Sequence, residues 1–341
     1  MDKVESLKVK GVAILLMIWH HLFGFNNRVP KYISILDFKG YKIEWLIANF
    51  AKICVAIFLF ISGYALYKRY KDENSMNIMI KKAKKFYLNY LLIFIIFIPI
   101  GFLGLHEGKF KFDIIEFIEN ILLIKSTYNF EWWFVSLYIG LLLFTPSIIK
   151  LLNKFPFKVI IGSILIAFLS EIISIDGFNN SLISIVKNLI FWQHIFVVGM
   201  IFSKYSLLYK LKIIVLQLNK FIIVFILVFC IMFRLFIAMI TNSVYLDFIL
   251  TPIVIVCILG LFNKDTLFSK LIIFFGENSM YLWLIHTFFC YYYFQKYVFI
   301  FKYSILIFLF TVIISTIVSI LIKKINIKIK APGRKIRKVN I

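Results

Sequence analysis

Three ionisable side chains occur in the first apolar segment of the chain, which has the sequence KGVAILLMIWHH from Lys10 to His21. The spacing of eleven residues between Lys10 and His21 is close to three whole helical turns, so both lie on one helix face. His20 points about 100° away from that face. Lys10 and His21 are about 16 Å apart along the axis, roughly half of a hydrocarbon core of about 30 Å. This face suits a long anionic substrate whose head lies at Lys10 and whose reactive end lies at His21, a candidate general base.

Other ionisable residues also fall inside apolar segments. Arg234 lies in FCIMFRLFIAM, and Lys52 lies in ANFAKICVAIF. A lysine or arginine at the centre of a span costs roughly 2.5–3.5 kcal/mol on insertion scales, so it usually faces a partner or a water-filled cavity. His194 and His286 are predicted at a similar depth to the histidine pair of the first segment. Each histidine has a second interpretation, in which it makes one hydrogen bond between helices.

A basic cluster precedes the third apolar segment. In YKRYKDENSMNIMIKKAKKFYLNYLL the lysines 81, 82, 84 and 85 open that segment. Lysines at such a place can hold phosphate groups as point charges. Loops on the cytoplasmic side are rich in lysine for another reason, the topology of membrane insertion, and this interpretation remains open beside the first.

Composition predicts that these residues belong to a polytopic α-helical membrane protein. The 341-residue chain is 62% hydrophobic and only 16% charged, with a mean hydropathy of +0.95. Apolar runs of about twenty residues recur throughout, as in spanning helices. The positions of these runs predict ten spans, at residues 10–27, 44–67, 86–105, 132–149, 158–175, 188–203, 221–241, 245–262, 271–295 and 303–322.

The net charge of +23 is distributed as the positive-inside rule expects. With the amino terminus in the cytoplasm, the cytoplasmic segments hold most of the 39 lysines and arginines, and the even span count puts both termini there. The charge therefore orients the protein, and a nucleic-acid partner is unsupported. We expect the first span to be an uncleaved anchor.

The chain is predicted to form one membrane domain over residues 1–322, followed by a basic cytoplasmic tail over 323–341. No CxxC pair or histidine at metal spacing accompanies the four cysteines, so neither a disulfide framework nor a metal site is expected. The outer segment at about 106–131 contains FDIIEFIENILLI, whose spacing predicts a short helix at the outer surface. The acidic residues of this segment suit an outer, solvated face; they are Glu107, Asp113, Glu116, Glu119 and Glu131.

Several motifs together resemble the membrane acyltransferase 3 family. The run from Lys10 to His21 is similar to that family's first-span motif, in which a basic residue and ten others precede histidine. The further similar segments, in the family's order, are IFLFISGYAL (57–66), KAKK (82–85), WWFVSLYIGLLLFTP (132–146) and FGENSMYLWLIH (275–286). The chain differs where lysine replaces arginine, at Lys10, Lys82 and Lys85. No extracytoplasmic domain of the kind that some members carry is predicted after the last span.

The resemblance implies transfer of an acyl group, usually acetyl, from cytoplasmic acyl-coenzyme A to a hydroxyl of an exported or cell-surface polysaccharide, at the plasma membrane and without a metal. The implied donor-phosphate ligands are Lys10, Lys82 and Lys85. The implied catalytic residues are His21 as base, Arg234 or Lys52 at the oxyanion, and His286 with Tyr281 on the acceptor side. Direct attack and a covalent acyl-enzyme both remain open, as does the oligomeric state.

Two other functions are considered. A transporter of a lipid-linked sugar or an anionic metabolite would also place arginine and histidine in its spans. Such transporters often show inverted repeats and spans broken by glycine or proline, and no repeat is visible among 14 glycines and 6 prolines. An inactive family member that serves as a scaffold is the third possibility.

Overall fold

A computed structural model describes residues 1–25, 27–38, 40–73, 75–105, 110–172, 181–241 and 243–330. The described chain is helical apart from one two-stranded antiparallel hairpin and its connecting loops. The regular elements, in chain order, are α1 Lys3–Phe23, β1 Asp37–Phe38, β2 Tyr41–Lys42, α2 Ile43–Ala51, α3 Cys54–Tyr70, α4 Met76–Ile100, α5 Ile114–Ile121, α6 Trp133–Lys154, α7 Pro156–Ile172, α8 Ser181–Lys204, α9 Leu207–Gln217, α10 Lys220–Thr241, α11 Asp247–Leu261, α12 Leu267–Thr287, α13 Gln295–Val298 and α14 Ser304–Lys330.

Seven helical segments in the described residues are long and apolar enough to cross a membrane. They are Lys3–Phe23, Ile43–Tyr70, Met76–Gly104, Phe130–Lys154, Ser181–Lys204, Lys220–Thr241 and Ser304–Lys328. The other three predicted spans coincide with the helices α7, α11 and α12. The prediction of an all-helical bundle is therefore confirmed, whereas ten spans and cytoplasmic termini stay predictions. The tail begins inside α14, and its part from residue 331 onward lies outside the described residues.

The first helix is capped by its own sequence. Asp2 is the N-cap, whose carboxylate accepts from the backbone N–H of Glu5, and the Glu5 carboxylate accepts in return from the Asp2 N–H. This reciprocal capping box satisfies two backbone donors that the first turn of a helix leaves without partners. Local sequence therefore fixes where α1 begins. This also fixes the position of each later residue along the helix axis.

Glycines let α1 and α12 approach closely. A Cβ on Gly11 would collide with the carbonyl of Ile272, and a Cβ on Gly276 would collide with the carbonyl of Leu7. Small residues at such crossings allow helix backbones to touch, which strengthens dispersion contacts where apolar burial adds little in lipid. The two helices run in the same direction from this crossing, so their last turns, each of which contains a histidine, also lie side by side.

A second pair of glycines joins α3 to α8. A Cβ on Gly63 would meet the carbonyl of Phe196, and a Cβ on Gly199 would meet the carbonyl of Phe60. The two helices run in the same direction, since the Lys204 ammonium in the last turn of α8 lies 5.9 Å from the centre of the Tyr67 ring in the last turn of α3. The two tightly packed pairs, α1 with α12 and α3 with α8, both contribute residues to the wall of the same interior space.

The predicted short helix forms, as α5, and it packs along the C-terminal half of α4. Tyr87, near the middle of α4, donates to the carbonyl of Ile121 over 2.9 Å, and the Phe117 ring lies 5.2 Å from that of Phe94. These contacts place α5 alongside α4 because aromatic residues of both helices interdigitate. Glu107 lies outside the described residues.

Candidate active site

Two histidines from distant parts of the chain meet at the ends of the paired helices. The Nδ1 atom of His21, on α1, lies 2.6 Å from the Nε2 atom of His286, on α12. Both side chains are buried, with relative exposures of 6% and 0%. The sequence placed these residues at a similar depth, and the parallel packing of their helices brings the two rings together.

A carboxylate completes the cluster. Glu131 Oε2 lies 3.3 Å from His21 Nε2, and Glu131 Oε1 accepts from the Tyr291 hydroxyl over 2.7 Å. Arg28 Nη1 lies 3.6 Å from the same Oε1 atom, and its guanidinium rests 4.4 Å above the ring of Phe25. Glu131 is therefore a buried carboxylate whose Oε1 atom has a hydroxyl donor and a guanidinium nearby, the condition under which a buried charge is tolerated.

Local sequence fixes the position of Glu131. The residue before the Phe130–Trp132 turn is Asn129, whose Oδ1 accepts from the Glu131 N–H over 3.2 Å. The Asn129 amide donates to the Thr287 hydroxyl over 2.8 Å, directly after His286 on α12. The sequence predicts a solvated outer face for Glu131. The position of this carboxylate immediately before the apolar WWFV run was the signal that it begins a buried helix.

Hydrogen-bond geometry assigns the protons within the cluster. His286 Nδ1 lies 3.0 Å from the carbonyl of Leu282 and 2.9 Å from that of Trp283, so this nitrogen carries the hydrogen. In neutral His286 the Nε2 atom is then an acceptor, and His21 donates to it from Nδ1. In neutral His21 the lone pair therefore resides on Nε2, the atom beside Glu131. A proton that arrives at this nitrogen would be held by the carboxylate.

His20 points to a different helix, as the helical phase predicts. Its Nδ1 atom lies 2.7 Å from the carbonyl of Ala48 on α2, to which it donates. His194 is further removed: its two ring nitrogens face the carbonyls of Phe191 and Tyr245. Of the histidines predicted at one depth, the structure brings His21 and His286 into contact, keeps His20 adjacent and holds His194 apart.

A chamber of about 410 Å³ contains both ends of the face predicted on α1. Lys10 lines it as well as His21 and Glu131, so the cation and the imidazole share one cavity. Its remaining wall is mostly apolar and aromatic, formed by Met17, Phe25, Val55, Phe58, Phe86, Phe130, Trp133, Phe134, Tyr138, Trp192, Met280 and Trp283, with the polar residues His20, Lys52, Cys54, Ser62 and Ser279. This is the lining expected for a thin, largely apolar ligand oriented by a few polar groups.

The predicted donor-phosphate lysines are only partly grouped. Lys82 is near enough to Lys10 for their charges to repel, and its ammonium lies 5.3 Å above the Tyr70 ring. Lys85 is exposed on the same helix. Neither Lys82 nor Lys85 is among the residues that line the chamber, whereas Lys10 is.

Arg234 is held away from the chamber by a bidentate ion pair. Its Nε and Nη2 atoms lie 2.8 and 2.9 Å from the two carboxylate oxygens of Asp247, and Nη1 donates to the carbonyl of Asn49. This arrangement ties α10 to α11 and α2 and commits three of the five guanidinium N–H groups, including the edge formed by Nε and Nη2. Lys52, three residues after Asn49, instead lines the chamber at the break between α2 and α3.

Tyr281 lies in a separate amide network. Its hydroxyl faces the side-chain amides of Asn89 and Asn326, which join α12 to α4 and α14. In the described residues no group of three or more His, Cys, Asp or Glu side chains is arranged to hold a metal ion. The four cysteines are free and buried.

A family model described as an acyltransferase domain matches residues 8–324, nearly the whole of the described chain. The chain belongs to the acyltransferase 3 family. This match confirms the resemblance drawn from the five motifs. Searches of curated proteins and of solved structures return no match. Membership in the acyltransferase 3 family, together with the seven apolar helices, identifies a membrane acyltransferase whose family motifs contain both His21 and His286.

Proposed function

We propose that this protein transfers an acyl group from cytoplasmic acyl-coenzyme A to a hydroxyl of an extracytoplasmic glycan at the plasma membrane. The proposed acyl group is acetyl. The observation that carries the proposal is that His21 and Glu131 line the same chamber as Lys10, with His286 in contact with His21. A thioester arm that enters beside Lys10 would reach His21 after about 16 Å along α1.

In the proposed reaction His21 Nε2 is the general base. The acceptor hydroxyl gives its proton to this nitrogen as its oxygen attacks the thioester carbonyl, and the tetrahedral intermediate then expels the coenzyme A thiolate. The His21 imidazolium returns the proton to the sulfur, so one ester forms and one thioester breaks. Glu131 stabilises the imidazolium, and His286 fixes the ring and its tautomer from the other nitrogen.

The oxyanion requires a positive group or a donor with a free edge. Of the two cations predicted for this role, Lys52 lines the chamber, and Arg234 is already bound by Asp247. Among the described residues no carboxylate lies within ion-pair distance of Lys52, and a lysine in a span is costly unless a cavity or ligand compensates it. We therefore assign the oxyanion role to Lys52.

The phosphate groups of coenzyme A are assigned to Lys10 and Lys82, with Lys85 at the surface beyond them. Lysines bind phosphate as point charges and tolerate varied geometry, in contrast to the paired contacts of arginine. The mutual repulsion of Lys10 and Lys82 supports this assignment, because an anion between two neighbouring cations would relieve it.

The test uses purified protein in sealed vesicles that contain labelled acetyl-coenzyme A, with candidate glycans outside. Wild type should transfer the label across the membrane to glycan, and His21→Ala should lower the rate by about 10²- to 10⁴-fold. His20→Ala is the matched control and should retain most activity. Undiminished transfer by His21→Ala would exclude the proposed base. Movement of unmodified glycan or metabolite without an acylated product would instead establish a transporter.

A further inference from the structure

A second cavity, separate from the chamber, lies among the residues that follow α1. It has a volume of about 390 Å³ and is lined by Val29, Pro30, Lys31, Tyr32, Gly40, Tyr41, Lys42 and Trp45. With the amino terminus in the cytoplasm, as predicted, this cavity opens on the outer side. Its lining combines three aromatic rings with two lysines.

Residues that line the cavity adjoin, along the chain, residues that contact Glu131 and His20. Val29 follows Arg28, whose guanidinium is at Glu131. Trp45 precedes Ala48 by three residues on α2, less than one helical turn, and the carbonyl of Ala48 binds His20. The linings of the two cavities are therefore joined through neighbouring residues of the chain.

Hydrogen bonds hold the segments that form the cavity in place. The buried carboxylate of Glu44 accepts from the backbone N–H of Ile35 over 2.7 Å and from the hydroxyl of Ser304 over 2.6 Å. The Ile33 N–H donates to the carbonyl of Lys302 over 2.8 Å, which joins the loop to the residues just before α14. These bonds fix the loop and the hairpin on the bundle, so the cavity is built into the fold.

One polar group of the cavity lining, the Tyr32 hydroxyl, has unused hydrogen-bonding capacity. The Tyr32 hydroxyl is buried and has no hydrogen-bond partner among the described residues. Burial, with the nearby charges of Glu44 and Asp37, raises the pKa of Tyr32 to about 12, so this hydroxyl remains a donor at neutral pH. A buried hydroxyl without a partner costs free energy that a ligand can recover.

The two lysines also lack acidic partners. Within the described residues no carboxylate lies within ion-pair distance of Lys31 or Lys42. The Lys42 ammonium instead lies 4.1 Å above the Tyr32 ring and 3.4 Å from the Tyr32 carbonyl. Asp37 is opposite Lys42 in the hairpin, and its Oδ1 accepts from the Gly40 N–H. Both ammonium groups can therefore bind an external anion.

The aromatic rings suit the apolar face of a sugar. Tyr41 and Trp45 are partly or largely exposed, and their ring centroids are 6.3 Å apart at an angle of 45°. Such rings offer flat apolar surfaces beside the polar groups that orient a ligand. Aromatic residues and lysines also gather at membrane interfaces, which makes an anionic lipid headgroup the competing occupant.

We propose that this cavity is the acceptor subsite of the enzyme and that it binds a sugar that carries a carboxylate or a phosphate. The sugar ring stacks on Tyr41 and Trp45, its anionic group binds Lys31 and Lys42, and one of its hydroxyls accepts from Tyr32. The inference rests on the proposed function, because it presupposes a glycan acceptor. It adds the class of that acceptor, an acidic glycan.

The test is calorimetric binding to the full-length protein in phosphatidylcholine nanodiscs. The probes are a galacturonate hexasaccharide for the carboxylate, mannose 6-phosphate for the phosphate, and maltohexaose as the neutral control. At least one acidic probe should bind more tightly than maltohexaose. Lys31→Gln/Lys42→Gln should weaken that binding by about tenfold or more, as the loss of charge-assisted hydrogen bonds implies. Trp45→Ala should also weaken binding of the acidic probe.

Matched controls separate this subsite from general effects. Lys111→Gln removes an exposed lysine elsewhere, and Tyr297→Ala removes an exposed ring elsewhere, so neither should alter binding. Equal binding by wild type and the double lysine variant, or no binding of either acidic probe, overturns the proposal. Loss of the acidic-sugar signal when phosphatidylglycerol is added to the nanodiscs identifies a lipid site and also overturns it.

Acetyl-coenzyme A binding, measured on the same samples, keeps the two proposals distinguishable. The double lysine variant should bind acetyl-coenzyme A as wild type does, because Lys10 and Lys82 are unchanged. A wild-type protein that binds the acidic probe and not acetyl-coenzyme A would contradict the proposed function while supporting the subsite.

Discussion

His21 Nδ1 on α1 and His286 Nε2 on α12 are separated by 265 positions in the chain and by 2.6 Å in space. Since the backbone carbonyls of Leu282 and Trp283 fix the hydrogen of His286 on Nδ1, this contact makes His21 the donor. The lone pair of neutral His21 is thereby directed to Nε2. His286 thus acts through His21 as a positioning residue.

His286→Ala should lower kcat for acetyl transfer and leave the KM for acetyl-coenzyme A nearly unchanged. The reason is that the donor lysines are intact while the His21 ring loses the acceptor that fixes its tautomer. Steady-state kinetics on the vesicle system separates the two parameters. His194→Ala is the control, because that buried histidine binds backbone carbonyls outside the chamber. A rise in KM alone would instead place His286 in donor binding.

Glu131→Gln should reduce kcat by on the order of 10²-fold, because the imidazolium formed in the reaction loses its countercharge. The amide keeps the volume and can still accept from Tyr291. Glu119→Gln is a suitable control, since that carboxylate pairs with Lys125 on the loop after α5. Equal rates for both variants would show that the Glu131 charge has no part in the reaction.

Lys52→Met should lower kcat by about 10²- to 10³-fold, the cost of one oxyanion donor, while Lys52→Arg retains part of the rate. Both variants should bind acetyl-coenzyme A as wild type does. Single-turnover measurements of acyl transfer report the chemical step directly. If Lys52→Met is fully active, the oxyanion must be stabilised by another group.

Asp247→Asn should destabilise the protein, because it leaves the Arg234 guanidinium buried without a countercharge. Removing one partner of a buried ion pair typically costs about 3–5 kcal/mol. Thermal unfolding in detergent should show this loss, and Asp265→Asn is the control because that carboxylate is exposed. A double change, Arg234→Met with Asp247→Leu, should recover much of the stability. Unchanged stability in Asp247→Asn would contradict the role assigned to this ion pair.

Gly63→Ala should destabilise the α3–α8 pair by about 1–3 kcal/mol, since the new methyl group would meet the backbone of Phe196. Gly162→Ala on α7 has open space around the added Cβ and should be neutral or stabilising by at most about 1 kcal/mol. Unfolding midpoints measured side by side test the difference. A tolerated Gly63→Ala would show that these helices are not in backbone contact.

The sequence alone determined the features that depend on local pattern. Apolar runs predicted an all-helical membrane protein, and the three-turn spacing of Lys10 and His21 predicted that both side chains lie on one helix face. Both residues line the chamber, together with His20. The motif order indicated the acyltransferase 3 family. These predictions succeeded because helical periodicity and hydropathy are properties of neighbouring residues.

Only the tertiary structure decided which polar residues share a site. Glu131 lies in a segment whose composition is typical of an outer loop. The contact between Asn129 and Thr287 nevertheless positions it beside His21. The sequence does not distinguish Arg234 from Lys52, since both are cations in apolar segments. The structure does, because Arg234 forms an ion pair with Asp247. Such partnerships depend on which helix faces touch. In this bundle, glycine crossings and packing between helices far apart in sequence make that choice.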